Sequence, residues 1–304
     1  MPNKRSFLLS LLSLALSFPS CSGRMEPDSL YTSHISICVL GNSYSNDSFC
    51  YVPFILKEYG ISSDIHIYYR SGGSLENLYD EWSEGSAVHY CIDTRIDKKW
   101  KKGESKSAAS LLLMKRWDVV SLQQYSKQVC APSSYYPFLT EIIAQIRNSC
   151  QYPLDLAWFM AYNRSDNSDR STNLSVQNRI VDDNQFDLVF PVATAVFNCQ
   201  ENPILAELGD SQVHLLYSLD GIHLQEGLPC YIAALSICQA IFERFSYSNS
   251  VIGDSVRPTQ GWIESINGIT PNGNSVGVSE ENCLLAQKAA ILANNHKFEI
   301  LPIE

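Results

Sequence analysis

Residues 35–45 read Ile-Ser-Ile-Cys-Val-Leu-Gly-Asn-Ser-Tyr-Ser. The first six residues form a short, mainly apolar run that is typical of a buried β-strand. Gly41 and Asn42 then interrupt this run, and a helical pattern follows. The segment therefore predicts a strand, a tight turn and a helix, with Ser43 on the turn.

The rest of the chain repeats this alternation of short apolar runs and longer helical patterns. Such alternation favours an α/β fold with a mainly parallel sheet. A polar segment, residues 84–106, is either an insertion over the strand ends or a solvated loop, and we favour the loop. The five predicted strands are residues 35–40, 65–69, 117–122, 154–160 and 214–217, residues 186–190 are a further strand candidate, and the main helices are predicted at 49–59, 74–82, 134–150, 227–245 and 280–296.

The first 20 residues are predicted to be a signal peptide and not part of the fold. Lys4 and Arg5 precede an apolar run of about a dozen residues, which is too short to span a bilayer as a mature helix. Cys21 follows Ser20 and resembles the acylated cysteine of a bacterial lipoprotein. We expect an exported protein, lipid-anchored in the cell envelope on its periplasmic or surface side, with plain secretion as the alternative. Residues 21–33 are then a tether, and residues 34–304 a single domain.

The charge and the cysteines limit the classes of partner. The 304 residues carry 22 Lys and Arg against 32 Asp and Glu, a formal net charge of −10. This balance argues against a nucleic-acid partner, which requires a basic face. The ten cysteines include no CxxC pair, so a zinc site or a thioredoxin-like site lacks its usual spacing. We predict no metal or organic cofactor and no membrane contact beyond the lipid anchor; disulfide pairing and oligomeric state stay open.

Two short motifs carry the functional prediction. Ser43 follows the first strand, and in an open α/β sheet ligands bind beyond the carboxyl ends of the strands. Asp220-Gly-Ile-His223 follows the last of the five predicted strands. A serine nucleophile requires an adjacent base, and the base requires an orienting carboxylate. The motifs therefore predict that His223 activates Ser43 and that Asp220 orients His223. The alternative is that Asp220 caps a turn and His223 lies on the surface.

In these motifs the chain resembles the SGNH (GDSL-like) hydrolases. Their first motif is Gly-Asp-Ser and their last is Asp-x-x-His, with a flavodoxin-like three-layer sandwich between them. The resemblance covers roughly residues 34–245. It implies an oxyanion hole made of the Ser43 N–H, a glycine N–H after the second strand and an amide side chain after the third. Gly73, or its neighbour Gly72, stands where that glycine belongs.

The third strand departs from the commonest family pattern. Instead of Gly-x-Asn-Asp, residues 122–126 read Leu-Gln-Gln-Tyr-Ser. This sequence is similar to the carbohydrate-esterase branch, in which a Gln replaces the Asn, and a Gln amide donates the same hydrogen bond at slightly longer reach. The resemblance implies Gln123 as the donor, with Gln124 as the alternative. The candidate substrate-contacting residues are Asn42, Tyr44, Tyr125 and Asn163.

The sequence as a whole predicts a serine esterase that hydrolyses a short acyl ester. Its expected substrate is an acetyl ester of a carbohydrate or another small molecule. One alternative is a glycan-binding lipoprotein that keeps the fold but lacks turnover. Another is a lipase or phospholipase of the same family, although the polar segments 84–106 and 164–173 do not resemble an apolar lid.

Overall fold

The computed structural model describes residues 33–85, 88–93, 100–166, 169–202, 216–218, 220–247, 256–262 and 275–303. The predicted signal peptide, Cys21 and the predicted tether up to residue 32 lie outside these residues.

The sheet is parallel over its central strands and antiparallel at one edge. In chain order the strands are β1 (Ser33–Gly41), β2 (Ile61–Tyr69), β3 (Val88–Asp93), β4 (Lys101–Lys106), β5 (Val119–Leu122), β6 (Asp155–Phe159) and β7 (Leu188–Phe190). They lie side by side in the order β4-β3-β2-β1-β5-β6-β7. Strands β2, β1, β5, β6 and β7 are parallel to one another. The predicted α/β fold with a five-stranded, mainly parallel sheet is confirmed.

The helices are α1 (Ser43–Phe49), α2 (Val52–Glu58), α3 (Leu75–Glu84), α4 (Ala108–Leu112), α5 (Phe138–Ser149), α6 (Arg170–Asn184), α7 (Val192–Gln200), α8 (Leu228–Phe245) and α9 (Glu280–Asn295). A short 3₁₀ helix spans Pro132–Ser134. The two-residue strands β8 (Glu226–Gly227) and β9 (Ser275–Val276) pair in parallel beside the main sheet.

The strand order explains how the helices divide into two layers. From β1 the chain runs to β2 on one side, and then back through β5, β6 and β7 on the other side. Right-handed crossovers therefore place α1 and α2 on one face of the sheet and α3 to α6 on the other. Contacts within each group agree, because α3, α4 and α5 pack together, as do α1, α2 and α8. The direction of winding reverses between β1 and β5, and that is where an open sheet forms a ligand crevice.

The helix α8 is the centre of the first layer. Leu228–Phe245 has the length and apolar composition of a membrane span, yet 83% of this segment is buried inside the fold. It contacts α1, α2, α7 and α9. We therefore assign it as a core helix against which α1 packs.

Two sequence predictions require correction. The segment 84–106, which we expected to be a solvated loop, contains β3 and β4; β3 extends β2 antiparallel, and β4 forms the sheet edge. Charged side chains protect an exposed edge from pairing with other chains, so the polarity of β4 is compatible with a strand. The fifth parallel strand is β7, which lies in the further strand candidate at residues 186–190. In the predicted strand 214–217, residues 214 and 215 lie outside the described residues, and Tyr217 forms an isolated antiparallel bridge with Leu224.

The predicted helix at 49–59 is two short helices. The first, α1, begins earlier, at Ser43, and the second, α2, begins at Val52. Pro53 lies in the first turn of α2, where its missing N–H costs no hydrogen bond. The restart at this proline separates the helix that carries Ser43 from the one that follows.

Candidate active site

Ser43 is the first residue of α1, at the carboxyl end of β1. Asn42 caps the helix in an extended conformation, and its side-chain Oδ1 accepts from the Tyr44 N–H at 3.0 Å. A Cβ atom at Gly41 would overlap Ser45 Oγ and lie 2.7 Å from Gln123 Oε1, so the turn requires glycine there. The Ser43 residue itself remains partly exposed. The local sequence thus places Ser43 at the carboxyl end of β1, where an open sheet forms its crevice between β1 and β5.

Asp220 and His223 form a hydrogen-bonded pair in the loop before α8. His223 Nδ1 lies 2.5 Å from Asp220 Oδ2, and the backbone N–H of His223 donates to Asp220 Oδ1 at 3.0 Å. Burial raises the pKa of Asp220, but hydrogen bonds from Ser218, His223 and Ile222 outweigh it and hold that pKa well below the usual carboxyl range. Asp220 is therefore ionised at neutral pH and fixes the Nδ1–H tautomer of His223. The imidazole Nε2 is left as the proton acceptor.

The His223 loop packs against α1. The Tyr44 ring, next to Ser43 in sequence, meets the His223 ring edge-on with 6.3 Å between centroids. On its other side Tyr44 stacks on Tyr162 at 4.0 Å and 7°. The Leu224 N–H donates to the carboxylate of Asp47 on α1 at 3.2 Å. The structure thus brings the turn at Ser43 and the Asp220–His223 pair to one place, although they are far apart in the chain.

The Asn42 side chain connects three strand ends. Its Nδ2 donates to the Gly73 carbonyl at 2.9 Å, after β2. Its Oδ1 accepts from Gln123 Nε2 at 2.6 Å, after β5. Ser45 Oγ donates to Gln123 Oε1, which fixes the orientation of the Gln123 amide. A primary amide has two N–H donors, so Gln123 keeps a second N–H beyond the one that Asn42 accepts.

The two glycines after β2 form a turn. The Gly73 N–H donates to the Arg70 carbonyl at 3.1 Å. Gly72 has a φ of +61°, a left-handed conformation that strongly favours glycine. A Cβ at Gly72 would lie 3.8 Å from the ring of Tyr125, so this ring packs beside the turn. Gly72, Gly73 and Tyr125 thus lie together at the ends of β2 and β5.

Gln124 and Asn163 are engaged in the surrounding scaffold. Gln124 is fully buried; its Oε1 accepts from the N–H groups of Leu75 and Tyr125 at 3.2 and 2.8 Å, and its Nε2 donates to the Ser134 carbonyl and hydroxyl at 2.9 and 3.1 Å. Asn163 is 1% exposed, and its carbonyl accepts from the Tyr217 hydroxyl at 2.6 Å. The Gln124 side chain and the backbone carbonyl of Asn163 thus hold neighbouring segments in place around the crevice.

Three other histidines, His34, His66 and His296, make contacts away from this crevice. His34 contacts Ser62 at 2.7 Å, at the amino ends of β1 and β2. His66 contacts Asp64 at 2.8 Å, and His296 lies 3.6 Å from Glu299. His214 lies outside the described residues. Across the described ranges, no group of three His, Cys, Asp or Glu side chains is arranged to hold a metal ion.

Comparison with known proteins gives a fold. No family model and no curated protein matches the sequence. Among solved structures, a DUF4886 family protein from Bacteroides uniformis is similar with a TM-score of 0.68 and 19% identity, over 89% of this chain and 98% of that one. An acetyl xylan esterase from Geobacillus stearothermophilus matches at TM-score 0.43 and 13% identity, over 70% of this chain and 95% of that one. A protein from Slackia heliotrinireducens, proposed to be an SGNH hydrolase, matches at 0.44 and 16%, over 68% and 99%. At these identities the first match supports the fold alone.

Asp47 is a site-adjacent residue that sequence reasoning missed. It lies four residues after Ser43, so both are on one face of α1; this spacing places Asp47 near the turn but does not identify its partner. The carboxylate is fully buried, and its Oδ2 also accepts from the Tyr162 hydroxyl at 3.1 Å. Burial raises the pKa of Asp47 to about 7, while nearby His223 and the two hydrogen bonds oppose this rise.

The raised pKa predicts a pH-dependent stability. Between the ordinary carboxyl pKa of 3.8 and about 7, the unfolded chain has released the Asp47 proton and the folded protein has kept it. Stability must therefore fall as pH rises through this range. We expect the free energy of unfolding of the wild type to fall relative to that of Asp47→Asn by up to about 4 kcal/mol. Chemical denaturation of both proteins across this range measures the difference, and parallel curves would contradict it.

Proposed function

We propose that the protein is a serine esterase that hydrolyses short acyl esters, most specifically acetyl esters of carbohydrates. The observation that carries the proposal is the Asp220–His223 pair, hydrogen-bonded at 2.5 Å and packed through Tyr44 against the start of α1, where Ser43 lies. A nucleophile, a base and an orienting carboxylate at one strand-end crevice are the requirements of acyl transfer through a serine.

The proposed reaction proceeds in two halves. Ser43 Oγ attacks the ester carbonyl carbon while His223 Nε2 takes the hydroxyl proton, and Asp220 stabilises the resulting imidazolium. The tetrahedral intermediate collapses, the C–O bond to the alcohol breaks, and His223 returns the proton to the leaving oxygen. Water then attacks the acyl carbon while His223 takes its proton; the bond between the acyl carbon and Ser43 Oγ breaks, His223 returns the proton to Ser43 Oγ, and the carboxylic acid is released. The residues named suffice for both halves without a cofactor.

The oxyanion hole in this proposal is formed by Ser43 N–H, Gly73 N–H and the Gln123 amide. Gln123 is preferred over Gln124 because of the hydrogen bonds described above. Gln124 uses both amide hydrogens and its oxygen within the scaffold, whereas Gln123 keeps one N–H for a ligand. The Gly73 N–H must share its bond to Arg70 or release it when an oxyanion binds.

The substrate class rests on chemistry around the crevice and on the sequence resemblance. Tyr125 is partly exposed beside Gly72 and offers an aromatic face of the kind that sugar rings stack on. The net charge of −10 suits a neutral ester better than an anionic one. The predicted signal peptide and acylation of Cys21 would place the enzyme in the cell envelope, where acetylated glycans are accessible.

Replacement of the nucleophile is the first test. Ser43→Ala is expected to lower the turnover of p-nitrophenyl acetate by about 10⁴-fold or more, because covalent catalysis is lost while the rest of the site remains. Ser110→Ala, on the exposed surface of α4, is the matched control and should leave turnover unchanged. Initial rates and thermal melting of the three proteins decide the result. Equal turnover in Ser43→Ala and wild type would refute the assignment, and glycan binding without cleavage of any acyl ester by the wild type would favour the binding-protein alternative.

The two glutamines give a second test. Gln123→Ala is expected to lower kcat by about 100- to 1,000-fold, because it removes an oxyanion donor. Gln124→Ala should lower the melting temperature more than kcat, because it leaves the Leu75 and Tyr125 N–H groups without their acceptor. Steady-state kinetics well below the melting temperature separate the two effects. The opposite pattern, with kcat lost only in Gln124→Ala, would assign the hole to Gln124.

A further inference from the structure

The peptide bond that follows His223 is held at both of its polar atoms. Its carbonyl, that of His223, accepts from the Ser218 N–H at 2.8 Å. Its N–H, that of Leu224, donates to Asp47 Oδ2 at 3.2 Å. The Ser218 bond closes the loop on itself, whereas the Asp47 bond ties the loop to α1. Asp47 thus connects the main chain at His223 by a hydrogen bond to the helix that begins with Ser43.

A buried carboxylate at this position is energetically unfavourable. Asp47 is fully buried, and its Oδ1 has no hydrogen-bond partner among the described residues. Burial of a charge without full pairing costs more than burial of a neutral acceptor. A neutral amide oxygen accepts the same two hydrogen bonds, so anchoring alone does not require an acid. The charge itself therefore calls for a role in the site.

The surroundings of Asp47 indicate what the charge acts on. Among the described residues that neighbour Asp47, His223 is the one group that becomes a cation during the proposed reaction. The other described titratable groups that face Asp47 come from α1 and its end, the segment after β6, the loop and α8. Apart from the Asp220 carboxylate they are neutral at neutral pH; they are Tyr44, Cys50, Tyr162, Asp220 and Cys230. The imidazolium therefore forms near two carboxylates: Asp220 is hydrogen-bonded to its Nδ1, and Asp47 accepts from the N–H of the next residue, Leu224.

We infer that Asp47 is a positioning residue for the esterase reaction, which in its ionised form anchors Leu224 and stabilises the protonated state of His223. The inference rests on the proposed function, since it assigns Asp47 to the same site. Asp47 touches neither substrate nor Ser43 in this assignment. It acts through the His223–Leu224 peptide and through its charge.

The pH dependence of kcat/KM tests the inference. If Asp47 must be ionised for full activity, activity is lost as pH falls through the protonation of Asp47 near 7. Asp47→Asn lacks this step, so the acidic limb of log kcat/KM should be steeper in the wild type than in Asp47→Asn, by up to one unit of slope. We also expect Asp47→Asn to lower kcat about tenfold and Asp47→Leu about 100-fold, with KM changed less than kcat. A merely structural role would lower the melting temperature and leave the slope unchanged.

Tyr162→Phe is the matched control, because it keeps the ring stacked on Tyr44 and removes one hydrogen bond from the Asp47 carboxylate. Loss of that bond disfavours the ionised form, so the protonation step of Asp47 should move to higher pH. A step that does not move would overturn the inference, and this holds even if Asp47→Asn does not fold.

Reactivity of Ser43 separates failure of the inference from failure of the proposed function. A fluorophosphonate phosphonylates an activated serine: the Oγ–P bond forms, fluoride leaves, and His223 takes the proton. Labelling or ester hydrolysis in the wild type, with the same acidic slope in wild type and Asp47→Asn, would overturn the role of Asp47 and leave the esterase intact. If the folded wild type shows no labelling and no hydrolysis, the proposed function is overturned, and the role of Asp47 with it.

Discussion

The Asn42 side chain is the connection on which the arrangement of the crevice depends. Its one amide links the start of α1, the turn after β2 and the loop after β5, through bonds to Tyr44, Gly73 and Gln123. Each of these segments ends a parallel strand, and strand ends diverge because a sheet twists. A buried amide that bonds to all three segments holds them at fixed distances. The same bonds orient Gln123, so the geometry of the cap at Ser43 and that of the proposed oxyanion hole are set together.

The second connection, made by Asp47 between α1 and the His223 loop, carries a free-energy cost that the Asn42 connection does not. Asn42 is satisfied at both of its polar atoms, whereas Asp47 carries a buried acid with one oxygen unpaired among the described residues. Its ionisation weakens the fold between the ordinary carboxyl pKa and about 7. Strained or costly groups are often retained where they serve function, and here the cost falls at the contact between the proposed base and the helix of the nucleophile.

The sequence identifies the parts of the site that have a local pattern. The turn at Ser43 and the Asp220-x-x-His223 spacing each occupy a few consecutive residues, so their types are visible without a structure. The edge strands β3 and β4 were missed because edges tolerate charge and lack the apolar pattern of buried strands. Three-residue β7 was only a candidate because short apolar runs are ambiguous. Asp47 was missed because its partner, the Leu224 N–H, is 177 residues away and is a backbone group that any residue but proline supplies.

Asp220 and Asp47 both interact with the His223 segment, but their environments differ, and this difference separates their roles. Asp220 is partly exposed and accepts four hydrogen bonds, so its pKa is held low, and it stays ionised at neutral pH and well below it. Asp47 is fully buried and accepts two hydrogen bonds, and burial raises the pKa of Asp47 to about 7. The orientation of the imidazole by Asp220 is therefore constant near neutral pH, whereas the charge on Asp47 changes with pH. Two carboxylates in the same environment would have similar pKa values, so one could not stay ionised while the charge of the other changed.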